Sequence, residues 1–351
     1  MSDRTRGSQI LISDRETGLP FSKGLLASQI MVTGLSPYRA YQVAEEVELR
    51  LLEGRKASVS TDELAGMTLL VIRDLAGERY ASNFVRWQRV EHLDVPVVIL
   101  IGGATGVGKS TIATQLAARL GIVRVVATDA IREVMRAMLS PELMPTLHVS
   151  SFQADQAMRE PPIKNADALV VGFREQTAAV SVGINALIER AATEGTSIVI
   201  EGAHVVPGFF DAEAYGDRIL AVPFIIGVDD EERHLSHFAA REDAIASRPA
   251  TRYAEGFDGI RRLQGYVKSQ ALAHGVPVIP NHSFDQTIAT VIDLVMDKAT
   301  SQAAEQVQAE DARTAVPTAI NSATGTARET ARETAKETAK ETAKETEGRS
   351  A

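Results

Sequence analysis

The residues best suited to chemistry form one glycine-rich segment, Gly103–Ser110, with the sequence GATGVGKS. Its first and last glycines, its lysine and its serine stand at the spacing of the Walker A phosphate-binding loop. Such a loop turns backbone N–H groups towards phosphates, while its lysine reaches the β- and γ-phosphates and its serine ligates Mg²⁺. We therefore expect ATP and Mg²⁺ to bind here, at these residues: Gly103, Ala104, Thr105, Gly106, Val107, Gly108, Lys109, Ser110 and Thr111.

Acidic residues follow two other apolar runs that we interpret as strands. Asp129 and Glu201 stand where the second and third runs end, and such ends line the crevice of a parallel sheet. We predict that Glu201 ligates Mg²⁺ together with Ser110, and that Asp129 orients an acceptor hydroxyl or acts on Mg²⁺ through water. Asp129 also has the features of a helix N-cap. His204 is open to either a functional role or a structural one.

Arginines are concentrated in two segments that flank these carboxylates. Arg132 and Arg136 share one face of the predicted helix after Asp129 and could hold an anionic group. The segment 231–262 follows the fourth apolar run, where small-molecule kinases carry a lid whose arginines neutralise charge on the transferred phosphoryl group. The alternative is an amphipathic helix with solvated arginines, which we expect to hold for some of the six. We predict catalytic roles for three only: Arg241, Arg248 and Arg252.

The elements around the glycine-rich loop are those that its chemistry requires. The apolar run Val97–Ile101 leads into the loop, and a helical stretch from Thr111 to Leu120 leads out of it. Continuous apolar runs that alternate with helical stretches indicate a parallel sheet with helices on both faces. We therefore predict an α/β domain of the P-loop NTPase type, with a lid, and four further strands: Ile122–Ala127, Ser197–Ile200, Ala221–Val228 and Val276–Ile279.

Differences in composition and hydrophobic pattern divide the chain into three parts. Residues 1–92 read as a small, mostly helical domain, and residues 93–300 form the predicted P-loop domain. Residues 301–351 include five copies of Ala-[Arg/Lys]-Glu-Thr at positions 327–346, which carry no large apolar side chain. Because such a segment cannot bury a core, we expect a disordered tail.

Composition narrows the functional classes. The chain has 351 residues, no cysteine and a net charge of -9. These features exclude a disulfide scaffold and a thiolate metal site, and they disfavour a nucleic-acid partner. The apolar runs are too short to cross a membrane and no signal peptide is evident, so a cytoplasmic location is expected.

Other P-loop classes need motifs that this sequence lacks. A GTPase would carry a guanine-reading Asn-Lys-x-Asp segment, but Pro280-Asn281-His282-Ser283 stands in the expected stretch. A motor ATPase would usually be longer and carry sensor elements. A kinase is the class that remains.

Several motifs together resemble the 2-phosphoglycerate kinase family over about residues 10–298. These motifs are Gly18–Gly24, Gly102–Thr111, Thr128–Arg136, Leu147–Phe152, Ile200–Gly208 and Arg252-Tyr253. The resemblance implies ATP-dependent phosphorylation of the 3-hydroxyl of 2-phosphoglycerate. It also implies that the N-terminal domain is similar to an ATP-cone, a small nucleotide-binding module, with Pro20-Phe21-Ser22-Lys23 at its Pro-Phe motif. The tail is not part of the family pattern.

An acceptor with a phosphate and a carboxylate needs several cations and hydroxyl donors. The chain offers these beside Asp129, as the predicted acceptor site: Arg132, Arg136, His148, Ser150, Ser151 and Lys164. Two alternatives stay open, a kinase for another small anionic metabolite or a nucleotide, and a non-catalytic regulator that senses ATP. The oligomeric state is not indicated.

Overall fold

The computed structural model describes residues 10–12, 18–54, 57–91, 95–160, 165–242, 250–302 and 304. Met1–Thr300 forms one compact unit and Ser301–Ala351 another. The Ala-[Arg/Lys]-Glu-Thr repeat lies outside the described residues, so the prediction of a disordered tail stays a prediction. Within the described ranges, no helix is both long enough and apolar enough to span a bilayer.

The N-terminal region is mostly helical, as predicted, and includes a small sheet of order β2-β1-β3. Its elements are β1 (Leu11–Ile12), β2 (Leu19–Pro20), α1 (Lys23–Ile30), α2 (Pro37–Glu53), β3 (Ser58–Val59), α3 (Thr61–Ala76) and α4 (Glu78–Glu91). Ser36 caps α2 by accepting a hydrogen bond from Arg39 N, and Pro37 occupies the first turn. The predicted apolar stripe of α2 is buried: Ala40, Val43, Ala44, Val47 and Leu51.

The second region contains the predicted parallel sheet, with strand order β5-β6-β4-β7-β8. Its strands are β4 (Val97–Gly102), β5 (Val125–Ala127), β6 (Ile198–Glu201), β7 (Leu220–Gly227) and β8 (Val278–Pro280). Each strand falls within or beside one of the apolar runs identified in the sequence. The glycine-rich loop thus leaves the central strand of the sheet, with β6 and β7 on either side.

Helices cover both faces of this sheet, which confirms the predicted α/β fold. They are α5 (Lys109–Arg119), α6 (Thr128–Met138), α7 (Ala168–Glu194), α8 (Glu231–Glu242), α9 (Ala250–Glu255), α10 (Phe257–Ala273) and α11 (residues 284–302). Along β4, Ile99 and Ile101 join one hydrophobic cluster, whereas Val98 and Leu100 join another. Because successive strand residues face opposite sides, a strand buried on both faces must be continuously apolar.

The N-terminal region contacts the end of the second region through polar side chains. Asn83 Nδ2 donates to Thr33 O and to Asp293 Oδ1, both at 3.2 Å. Arg79 pairs with Asp293 at 2.9 Å, and Arg86 pairs with Asp297. The proposed boundary between residues 92 and 93 stays a prediction, because both sides belong to one compact unit.

Candidate active site

A polar cavity of about 400 Å³ lies at the carboxyl edge of the sheet. Its wall includes the glycine-rich loop, the first turns of α6, the segment 148–152, the end of β6 and two residues of α9. Residues of the predicted ATP, Mg²⁺ and acceptor sites therefore line one cavity. The carboxyl ends of parallel strands are the expected location for such a crevice.

The glycines of the loop are required by its path. Gly103 has φ of 137°, and a Cβ there would lie 2.3 Å from Ile226 O of β7. Gly106 has φ of 86°, and its Cβ would lie 2.3 Å from the ring of Phe238. A side chain at either position would meet both a strained backbone and a steric clash.

Lys109 and Ser110 begin α5 at the mouth of this loop. Lys109 is 8% exposed, and its Nζ donates a hydrogen bond to Ala104 O at 2.7 Å. Ser110 Oγ donates to Glu201 Oε1 at 2.9 Å, and Glu201 is 6% exposed. The predicted serine–carboxylate pair is therefore brought together across α5 and β6.

The Ser110–Glu201 pair fits Mg²⁺ by its chemistry. Both side chains offer oxygen ligands, which this ion prefers, and both line the cavity beside the loop. The described residues include no group of three or more His, Asp or Glu that could hold a metal alone. Mg²⁺ commonly takes one or two protein oxygens and completes its shell with phosphates and water, so two oxygens suffice.

Asp129 and Arg132, both of α6, line the cavity next to each other. The N-cap of α6 is Ala127, so Asp129 is not the N-cap residue, and its side chain is 57% exposed at the cavity. Arg132 Nη2 lies 3.5 Å from Asp129 Oδ1. Arg132 Nη1 also donates to Val149 O at 2.6 Å, which connects α6 to the segment 148–152.

Other residues predicted to bind the acceptor also line the cavity. Arg136 Nη1 donates to Glu133 Oε2 at 2.8 Å, and His148 Nε2 lies 2.9 Å from Leu139 O, to which it donates. Arg252 of α9 donates from Nη2 to Ser150 Oγ at 2.7 Å. The cavity lining thus includes these predicted residues: Asp129, Arg132, Arg136, His148, Ser150, Ser151 and Arg252.

Three predicted cations have no described contact with the site. Lys164 and Arg248 lie outside the described residues, and Arg241 belongs to α8 but its side chain is likewise outside them. Two arginines set aside in the sequence have other partners. Arg261 donates to Val228 O and Asp229 O, whereas Arg262 pairs with Asp167 and Asp258.

His204 belongs to a buried hydrogen-bonded chain that the sequence did not reveal. Gln176 Nε2 donates to Thr146 O at 2.5 Å and to Val149 O at 3.1 Å, which turns its Oε1 towards His204 Nε2 at 2.9 Å. His204 Nε2 must therefore carry a proton, and Nδ1 accepts from Thr128 Oγ1 at 3.0 Å. This chain connects the end of β6 with the carbonyl that Arg132 also contacts.

Burial keeps His204 neutral. The ring is 0% exposed, and desolvation lowers its pKa from 6.5 to about 4, against the opposing influence of Asp129. Burial also lowers the pKa of His234. A histidine whose folded pKa lies below its unfolded value contributes stability that is complete above the unfolded pKa and is lost as the pH falls.

We therefore expect the chain to lose stability between about pH 6.5 and about pH 4, because unfolding takes up protons. Melting temperatures measured across this range should fall for the wild type and fall less steeply for His204→Gln. Some slope should persist in the variant, since His234 still titrates on unfolding. Parallel slopes for the two proteins would contradict the assignment of a buried neutral His204.

Comparisons with known proteins agree with the geometry. A family model described as an AAA domain matches residues 98–271. A 2-phosphoglycerate kinase of Thermococcus kodakarensis is 41% identical over 286 residues, which cover 82% of this chain and 96% of that protein. A 2-phosphoglycerate kinase of Methanothermobacter thermautotrophicus is 40% identical over 282 residues, covering 80% of this chain and 92% of that protein.

Proposed function

The chain belongs to the 2-phosphoglycerate kinase family, and on that premise we propose that it transfers the γ-phosphoryl group of ATP to 2-phosphoglycerate. The acceptor would be the 3-hydroxyl, and the products 2,3-bisphosphoglycerate and ADP. The family relation confirms the resemblance noted in the sequence and disfavours a purely regulatory role.

The observation that carries this proposal is the charge of the cavity beside the phosphate loop. Arg132, Arg136 and Arg252 all line it, with His148 and the hydroxyls of the serines at 150 and 151. An acceptor with one carboxylate could engage only part of this set. A molecule with both a phosphate and a carboxylate matches them, because arginine forks suit both groups.

The proposed roles follow from where each side chain lies. Lys109 would leave Ala104 O for the β- and γ-phosphates, and Asp129 would orient the acceptor hydroxyl from the opposite wall. Arg252 would approach the transferred group from α9. Ser110 and Glu201 would hold Mg²⁺, which neutralises charge on the phosphates. Phosphoryl transfer then depends mainly on positioning and electrostatic stabilisation.

Glu201→Gln should raise the Mg²⁺ concentration needed for half-maximal rate by about tenfold or more, because an amide oxygen is a weaker ligand than a carboxylate. A Mg²⁺ titration of the initial rate at saturating ATP measures this. Glu189→Gln is the matched control, since Glu189 pairs with Arg218 on the surface. Equal Mg²⁺ requirements for the two variants would contradict the metal assignment.

Acceptor-dependent release of ADP tests the proposed function. The purified chain is given MgATP with 2-phosphoglycerate, 3-phosphoglycerate, glycerate or a nucleoside monophosphate. We expect rapid release with 2-phosphoglycerate and little with the others. Release that needs a nucleoside monophosphate, or that ignores every acceptor, would contradict the proposal.

A further inference from the structure

The backbone carbonyls of the phosphate loop need hydrogen-bond donors. When its N–H groups turn towards phosphates, its carbonyls turn away, and buried carbonyls need donors. Four consecutive carbonyls receive them from side chains: Ala104 O from Lys109 Nζ at 2.7 Å, Thr105 O from His234 Nε2 at 2.8 Å, Gly106 O from His237 Nδ1 at 2.9 Å, and Val107 O from Asn281 Nδ2 at 2.9 Å.

We propose that His234 and His237 of α8 are positioning residues that hold the phosphate loop in its nucleotide-binding shape. Neither histidine is among the described residues that line the cavity, so each acts through a loop carbonyl. The inference rests on the proposed binding of ATP at this loop. It assigns part of the nucleotide affinity to a helix about 130 positions away in sequence.

His234 is built as a fixed donor. It is 0% exposed, its ring stacks on Phe238 with centroids 5.5 Å apart, and the ring of Phe257 forms a T-shaped contact with it at 5.4 Å between centroids. Its Nδ1 has no hydrogen-bond partner among the residues that the structure describes. The proton is therefore best placed on Nε2, where Thr105 O accepts it, and burial disfavours a second proton.

His237 extends the same contact by one helical turn. Residues three and four apart share a helix face, so His234, His237 and Phe238 all point towards the loop. Phe238 fills the space where a Cβ on Gly106 would otherwise lie. Helix α8 therefore contacts Thr105 and Gly106 through two hydrogen bonds and the ring of Phe238.

The two histidines use different ring nitrogens, which gives a sharp test. The amide nitrogen of asparagine is attached to Cγ, like Nδ1 of histidine, whereas that of glutamine lies one bond further, like Nε2. Asparagine should therefore replace His237 and glutamine should replace His234. The exchanged substitutions, His237→Gln and His234→Asn, place the donor wrongly.

Isothermal titration with ADP measures the effect directly. His237→Leu should weaken ADP binding on the order of tenfold, while His237→Asn should stay close to wild type. The number of binding sites per chain and the KM for the acceptor should not change. A variant that merely folded less well would bind fewer ADP molecules per chain with an unchanged Kd, and this result would overturn the proposal.

The remaining outcomes also decide the matter. Equal ADP affinities for His237→Asn and His237→Gln would overturn the proposal even if the leucine variant did not fold. So would an unchanged Kd for His237→Leu. Failure of the wild type to bind ADP would instead contradict the proposed function. His234→Gln against His234→Asn repeats the comparison at the buried position.

Discussion

Replacing Lys109 with alanine is expected to lower kcat/KM by about 10³-fold or more, or ~4 kcal/mol of transition-state stabilisation. The lysine contributes a positive charge where negative charge is redistributed during transfer, in a position that is 8% exposed and poorly screened. Steady-state ADP release at saturating 2-phosphoglycerate measures the loss. The fold should survive, since the hydrogen bond from Lys109 to Ala104 O lies within the loop itself.

Two further variants make this result interpretable. Lys109→Met keeps the aliphatic stem and removes only the charge, so it should be as inactive as the alanine variant. Lys298→Ala removes an exposed lysine of α11 and should behave like wild type. Circular dichroism and melting temperature report on folding. A Lys109 variant that kept more than about a tenth of wild-type turnover would contradict the site assignment.

Glycerate is expected to be a poorer acceptor than 2-phosphoglycerate by about 10³-fold or more in kcat/KM. Glycerate lacks the phosphate that Arg132, Arg136 and Arg252 are proposed to bind, so the interactions of that group with the arginine forks would be lost. A site built around a polar group rejects an analogue that lacks it, because its own groups go unsatisfied. Comparable kcat/KM values for the two acceptors would contradict this reading.

Arg132→Ala should raise the KM for 2-phosphoglycerate more than the KM for ATP. The change removes both a cation and the hydrogen bond to Val149 O that connects α6 to the segment 148–152. Arg262→Ala is the matched control, because Arg262 pairs with Asp167 and Asp258 instead. Equal increases in the two KM values would indicate a general loss of structure.

Local sequence was enough to predict the nucleotide side of the site. The loop, its preceding strand and its following helix are contiguous, so spacing alone relates Gly103 to Ser110. Glu201 could be placed beside Ser110 because carboxyl ends of neighbouring parallel strands meet at one edge. The structure confirms this fold and brings the two side chains to 2.9 Å.

Contacts between distant parts of the chain could not be predicted in the same way. Gln176 is the ninth residue of the 27-residue helix α7, where nothing in its neighbours distinguishes it from a solvated glutamine. His234 and His237 lie in the arginine-rich segment 231–262, and it is the packing of α8 that brings them to Thr105 O and Gly106 O. Asp129 also had the features of a cap, but the helix begins two residues too early for that, at Thr128.

The domain scheme and nucleotide binding by the N-terminal region remain predictions. The polar contacts of α4 with α11, through Arg79 and Arg86, belong to the same compact unit as the sheet. Removal of residues 1–92 would therefore expose surfaces that are paired in the whole chain. The differences in composition and hydrophobic pattern that suggested the boundary do not report on such pairing.

Transfer of the phosphoryl group to 2-phosphoglycerate can be followed directly with an isotopic label. ATP labelled with ¹⁸O in the three non-bridging oxygens of its γ-phosphate is incubated with the chain, Mg²⁺ and 2-phosphoglycerate, and the products are identified by mass spectrometry and ³¹P NMR. We expect 2,3-bisphosphoglycerate with the label confined to the phosphate on the 3-oxygen, together with unlabelled ADP. Label found only in inorganic phosphate, or in a molecule other than the bisphosphorylated acceptor, would contradict the proposed function.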